Sequence, residues 1–170
     1  RCDFCKKIHK INISNNTVLE TIDVGAGPQF MTNLNDEIYI SRTFYDDNWN
    51  YFYGTSKISN VTPIVVDHNS SGGTACGGSI LSHQSYIYRS FNGGLYRLDS
   101  DLNMLEEGMI GEFNQSNVYH IEKINENFWF ALTNFSDYNE LRVISPKGIE
   151  LISYKVGIIP GDLAYWEKSD

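Results

Sequence analysis

Positive charge is scarce in this chain. Thirteen Lys and Arg face 21 Asp and Glu, leaving a formal net charge of -8. So acidic a chain lacks the cationic footprint that phosphate backbones require, which argues against nucleic acid as a partner. Anionic membrane surfaces are disfavoured for the same reason. Long hydrophobic runs are missing too. No window of about 18 apolar residues occurs, so no insertion into a membrane is expected. The first residues, RCDFC, hold no apolar core of a signal peptide, so the chain is expected to be cytosolic or a mature, processed piece. Motifs of catalysis are absent as well. There is no GxSxG, Walker loop or dinucleotide fingerprint, and the glycines of TACGGS and NGGL precede no helix that could cradle a phosphate. His9, His68, His83 and His120 are scattered without HxH or HExxH spacing. No catalytic residue, resident metal or cofactor is therefore expected.

Cysteine is sparse and odd in number: Cys2, Cys5 and Cys76. Cys2 and Cys5 form a CxxC. Lys6 stands where haem attachment needs His, zinc would need two more ligands, and a redox CxxC normally opens a helix that is not foreseen here. A local disulfide, or pairing with sequence outside the chain, is the expected role. Two acidic stretches, Asp46-Asp47 and Asp99 to Asn103, invite a calcium reading. The second lacks the glycine and distal Glu of an EF-hand loop, and both are read as solvated turns.

What the chain has in quantity is aromatic residues, with 11 Tyr and 9 Phe, and turn formers. Both suit sheets. Short alternating runs are bounded by Gly, Asn, Asp or Pro, and the ordered series of corner, strand, turn and strand recurs about every 43–46 residues, the period of a β-propeller. The clearest copy runs from Val18 to Phe44. Corners are expected near 25–28, 68–73, 111–117 and 157–161. Four strands, a to d, follow each of the first three corners; the chain opens on a c strand at Lys7 to Ile13, and only a strand a follows the last corner. The last apolar residues of the c strands are Ile11, Ile58, Leu98 and Ile144, at intervals of 47, 40 and 46. The fold class is thus all-β, a single propeller domain over 1–170 with blades of four antiparallel strands. Thr74 to Leu81 and Leu163 to Trp166 are both expected to be innermost strands. On that count one b strand is missing, so about four blades of a larger ring are foreseen, with a self-closing four-bladed ring as the alternative.

IDVGAGPQF followed by EIYIS resembles the YVTN-type β-propeller repeat, with the likeness at motif level confined to Thr21–Ser41. The resemblance implies a secreted or surface-exposed propeller and carries no universal catalytic set.

Candidate functional residues follow from this layout. Six N-x-S/T sequons occur, of which Asn15, Asn60, Asn69, Asn114 and Asn134 fall at expected turns and are candidate N-glycosylation sites; Asn12 lies within a strand. The loop around Tyr45, Trp49 and Tyr51 gathers aromatics between polar residues and is the candidate interaction surface. His120 and Asp162 fall on expected inner strands, where several blades approach an axis, and are the candidates for an axial site. The expected function is a non-enzymatic extracellular or cell-surface module for protein interaction or self-assembly, with the remaining blades or glycans as further partners. A lactonase-like hydrolase with an axial site and a carbohydrate-binding propeller are the alternatives.

Overall fold

The computed structural model describes residues 5–59, 62–68, 78–137 and 139–167. Strands dominate, and no helix among the described residues is long and apolar enough to cross a membrane. The first sheet is a hairpin of β1 (Lys7–Asn12) and β2 (Thr17–Asp23). Three four-stranded antiparallel meanders follow. Sheet 2 is β3 (Pro28–Leu34), β4 (Glu37–Tyr45), β5 (Tyr51–Ile58) and β6 (Ile64–His68). Sheet 3 is β7 (Ile80–His83), β8 (Tyr86–Phe91), β9 (Gly94–Leu98) and β10 (Met104–Ile110). Sheet 4 is β11 (Val118–Ile124), β12 (Asn127–Leu132), β13 (Asn139–Ile144) and β14 (Glu150–Val156). A single 3₁₀ turn, Gln115–Asn117, leads into β11.

The sheets stack in chain order. Sheet 3 lies between its neighbours because its strands carry apolar residues on both faces. Ile80, Ile87 and Leu98 pack with Tyr39 in the cluster toward sheet 2. Leu81, Tyr88 and Leu95 pack with Ile121, Phe128 and Phe130 in the cluster toward sheet 4. The first strands of the meanders, β3, β7 and β11, adjoin one another, and the last strands lie outermost. Every described residue of β14 but Val156 is exposed. Sheet 1 is held less tightly. Ser56 Oγ donates to the Val24 carbonyl at 2.6 Å, yet a cleft of about 500 Å³ lies between Ile8 and Ile22 of the hairpin and Met31 and Ile58 of sheet 2. Sheet 1 makes no extensive contact with sheet 4, so the described residues do not close into a ring.

The corner at 25–28 forms as its sequence requires. Gly27 has φ 69°, a β-carbon there would strike the Thr43 carbonyl, and the Gly27 carbonyl accepts the Thr43 N–H at 2.9 Å. Two expectations are corrected. Leu163 to Trp166 is not a strand: no described sheet edge pairs with it, and an apolar run without a ladder partner does not hold an extended strand. The inner strand expected at Thr74 to Leu81 is seen as Ile80–His83, with 74–77 outside the described residues. His68, expected to open a corner, ends β6 instead.

The seam between sheets 2 and 3 also holds a buried polar cluster beside its apolar one. Arg89, on β8, is 0% exposed and faces no carboxylate among the described residues. Its Nη2 donates to the carbonyls of Arg42 (3.0 Å) and Gly54 (3.2 Å), its Nη1 to the Ser90 carbonyl (3.0 Å), and its Nε to Thr55 Oγ1 (3.1 Å). Loss of water pushes its pKa down to about 10, with Tyr53 opposing and Arg42 adding to the fall. Arg42, on β4 and 1% exposed, donates to the carbonyls of Ala26 and Val66 and to the Asp67 carboxylate. Gly54 makes room for it, since a β-carbon there would collide with the guanidinium. His68 completes the cluster, its Nε2 lying 3.0 Å from Thr55 Oγ1.

Arg89→Leu strands several buried carbonyls at once and is expected to destabilise the chain by about 3–5 kcal/mol in urea denaturation, with Arg89→Lys rescuing little because an ammonium cannot span the same acceptors. Burial, then the charges of Arg89 and Arg42, hold His68 down at about pKa 4 from 6.5, against the pull of Asp67. In this window the unfolded chain binds the proton that the folded chain does not. The contribution of His68 to stability therefore falls as pH drops from about 6.5 to 4 and is fully lost below. The thermal midpoint of His68→Gln should show a shallower slope across that window.

Candidate functional site

Antiparallel topology brings one set of connections to the same end of sheets 2 to 4. These are the β4–β5 loop, the β12–β13 loop, the segment entering β11 and the segment after β14. The aromatic and axial candidates, with Asn114 and Asn134, lie at this end, whereas Asn15 is in the β1–β2 turn.

The β4–β5 loop is locked by one side chain. Asp46 Oδ1 accepts the N–H groups of Asn48 (2.9 Å) and Asn50 (2.8 Å), and Oδ2 accepts Asn50 Nδ2 (2.9 Å). These bonds, the Asn50 amide first, hold the carboxyl below the usual range. Asp99 does the same work after β9, accepting from Asp101 N, Asn103 N and Asn103 Nδ2. Both turns read D-x-x-Φ-N, and both place Φ in the left-handed region, Trp49 at φ 63° and Leu102 at φ 67°. The acidic groups are thus engaged by their own turns. The two turns differ in where Φ goes. Leu102 is 0% exposed in the core, whereas Trp49 is 72% exposed. One device anchors a sheet; the other projects an indole. The shared D-x-x-Φ-N pattern is a signal that the sequence reading passed over.

Tyr45 stands 6.0 Å from Trp49 and 6.2 Å from Tyr51, between ring centroids. Tyr51 also lines a groove of about 410 Å³ with Asn114, Tyr119 and Phe135. Tyr119 and Phe135 meet edge to face at 6.2 Å. Aromatic faces beside amides suit an amphipathic ligand or a protein side chain. Asn114 and Phe135 were not foreseen as neighbours of Tyr51; they arrive from loops more than 60 residues away.

His120 and Asp162 do come together. His120 Nε2 lies 3.4 Å from Glu122 Oε2, and the ligand-type atoms of His120, Glu122 and Asp162 all lie within 4.8 Å of one another. His120 is on β11 as expected. Asp162 is in irregular chain rather than on an inner strand, so its placement is corrected. Glu122 was missed, although its spacing of two from His120 puts both on one face of a strand. Beside them, a cavity of about 130 Å³ is lined by Phe30 and Thr32 of β3 and Ile80 and Leu81 of β7. The Phe30 ring is 5.5 Å from the imidazole.

Among the candidate sequons, Asn15, Asn114 and Asn134 are exposed, and each side-chain oxygen accepts a nearby backbone N–H. Asn60 and Asn69 lie outside the described residues. Cys5 is disulfide-bonded; Cys2 and Cys76 lie outside the described residues.

Neither a protein-family model nor a curated protein matches this chain.

The contrast between the two D-x-x-Φ-N turns is measurable. Leu102→Ala is expected to destabilise by about 2–5 kcal/mol, as buried leucines do. Trp49→Ala should stay within about 0.5 kcal/mol of the parent in the same urea titration.

Proposed function

We propose that the stacked sheets are an arc of a β-propeller and that the protein is a non-enzymatic module for interaction and assembly outside the cell. One observation carries the reading: beside the buried Leu141 and Val143, the outermost strand of sheet 4 exposes apolar side chains on the face away from sheet 3. Trp129, Ile152 and Tyr154 share the face away from sheet 3, by the register that pairs Trp129 with Val143, Val143 with Ile152 and Leu141 with Tyr154. Trp129 and Tyr154 stack there at 5.8 Å and 4°. Ile152 is 46% exposed. Sheet 3, built on the same plan, has both faces covered. A contiguous apolar strip on a four-stranded sheet suits a neighbouring sheet, from further blades or from a second copy.

Placement outside the cell is supported by the bonded state of Cys5, which persists in oxidising compartments, and by the exposure of Asn15, Asn114 and Asn134. The projecting Trp49 and the Tyr51 groove would serve as the contact rim. The aromatic and amide lining of that groove also favours a carbohydrate as ligand, tested by titrating simple sugars against Trp49 fluorescence.

Light scattering over a range of protein concentration tests the assembly reading. The chain should self-associate, and more strongly with added salt, because two copies each carrying -8 repel. Trp129→Glu with Ile152→Lys should remain monomeric and folded. A parent chain that stays monomeric at every concentration and salt would contradict self-assembly through this face.

A further inference from the structure

The geometry points to a binding site for one first-row divalent cation, of the zinc class, held by His120, Glu122 and Asp162. The inference does not rest on the assembly reading, although Glu122 is the cross-strand neighbour of Trp129 on the same face of sheet 4.

His120 carries the argument. It is 5% exposed, and its Nε2 has no hydrogen-bond partner. Burying a polar nitrogen without a partner costs about 1–3 kcal/mol, so a native site that keeps one invites a ligand. Glu122 Oε2, at 3.4 Å, is near but makes no hydrogen bond with it. That separation has a meaning for a metal. Two ligand atoms each about 2.0–2.1 Å from a tetrahedral zinc stand about 3.3 Å apart. The imidazole and the carboxylate are therefore already at ligand spacing.

Both carboxylates are prepared in the same way. Glu122 Oε1 accepts the Lys123 N–H at 3.1 Å, and Asp162 Oδ1 accepts the Leu163 N–H at 2.8 Å. Each keeps one oxygen engaged by the backbone and the other free for a cation. Among the described residues no Lys or Arg side chain is ion-paired with either carboxylate. Asp162 is exposed, and one of its oxygens lies within 4.8 Å of the His120 and Glu122 ligand atoms.

The donor set chooses among cations. One imidazole nitrogen with two carboxylate oxygens suits zinc and its first-row neighbours, whereas calcium and magnesium favour all-oxygen shells. Three protein ligands leave a fourth position. The adjoining cavity of about 130 Å³ can hold water or a small ligand there. Binding would also tie the segment after β14 back onto β11.

The test uses the whole chain, freed of metal by a chelator and titrated with zinc by calorimetry and with cobalt by visible absorption. One equivalent should bind, with a rise in thermal midpoint. Asp162→Asn, a surface change that leaves the fold intact by circular dichroism, should weaken binding about 10-fold or more, as should Glu122→Gln. His120→Gln should remove the nitrogen ligand and shift the cobalt spectrum. Absence of binding by the parent chain, or affinity unchanged in Asp162→Asn and Glu122→Gln, would overturn the site. Calcium binding equal to that of zinc would overturn the imidazole as a ligand. Calorimetry and cobalt absorption read the metal and light scattering reads self-association, and Asp162→Asn, which lies off the sheet, separates the two.

Discussion

A buried guanidinium ties the middle of this protein together. Arg89 reaches from sheet 3 into the backbone of sheet 2 and bonds the carbonyls of Gly54 and Arg42, partners that only the correct stacking supplies. Apolar faces can slide against one another with little loss. A planar donor fork with fixed acceptors cannot, so the arginine sets the register between sheets while the two apolar clusters supply most of the driving force. The same residue makes a misaligned stack unfavourable, because its charge would then be buried without acceptors.

From that centre the structure loosens in both directions. Sheet 3 is clamped on both faces. Sheet 4 is clamped on one, and β14 lies open. Sheet 1 touches its neighbour across a cleft of about 500 Å³. The parts proposed for recognition, the Trp49 loop and the far face of sheet 4, belong to the less constrained regions. The candidate metal ligands sit between the two regimes, two on the framework of β11 and one on the irregular segment that returns to it.

Much of the fold was legible because its signals are local. Period-2 runs such as EIYISRTF and YIYRSF, and the corner at Gly25–Pro28, define strands and turns with no knowledge of the rest of the chain. What was not legible depends on distant partners. LAYW has the composition of a strand, but a strand needs an edge to pair with, and sequence does not announce one. Arg42 and Arg89 sit where alternation reads as ordinary polar positions. Their burial depends on carbonyls brought by another strand, and the local hints were glycines that leave room for a guanidinium, Gly54 beside Arg42 and Gly78 beside Arg89. At the candidate site, His120 and Asp162 were singled out from the expected axis. Glu122 completes the cluster, and the unpartnered state of the imidazole emerges only from packing. The blade arrangement, the partner and the compartment are proposals that rest on these features.

Native-state hydrogen exchange, read strand by strand, tests the central claim that sheet 3 is the clamped unit on which the others depend. The account predicts slowest exchange in β8 and β9, with β14 and the β1–β2 hairpin exchanging orders of magnitude faster through local opening. Protection in β14 or the hairpin equal to that of β8 would contradict it.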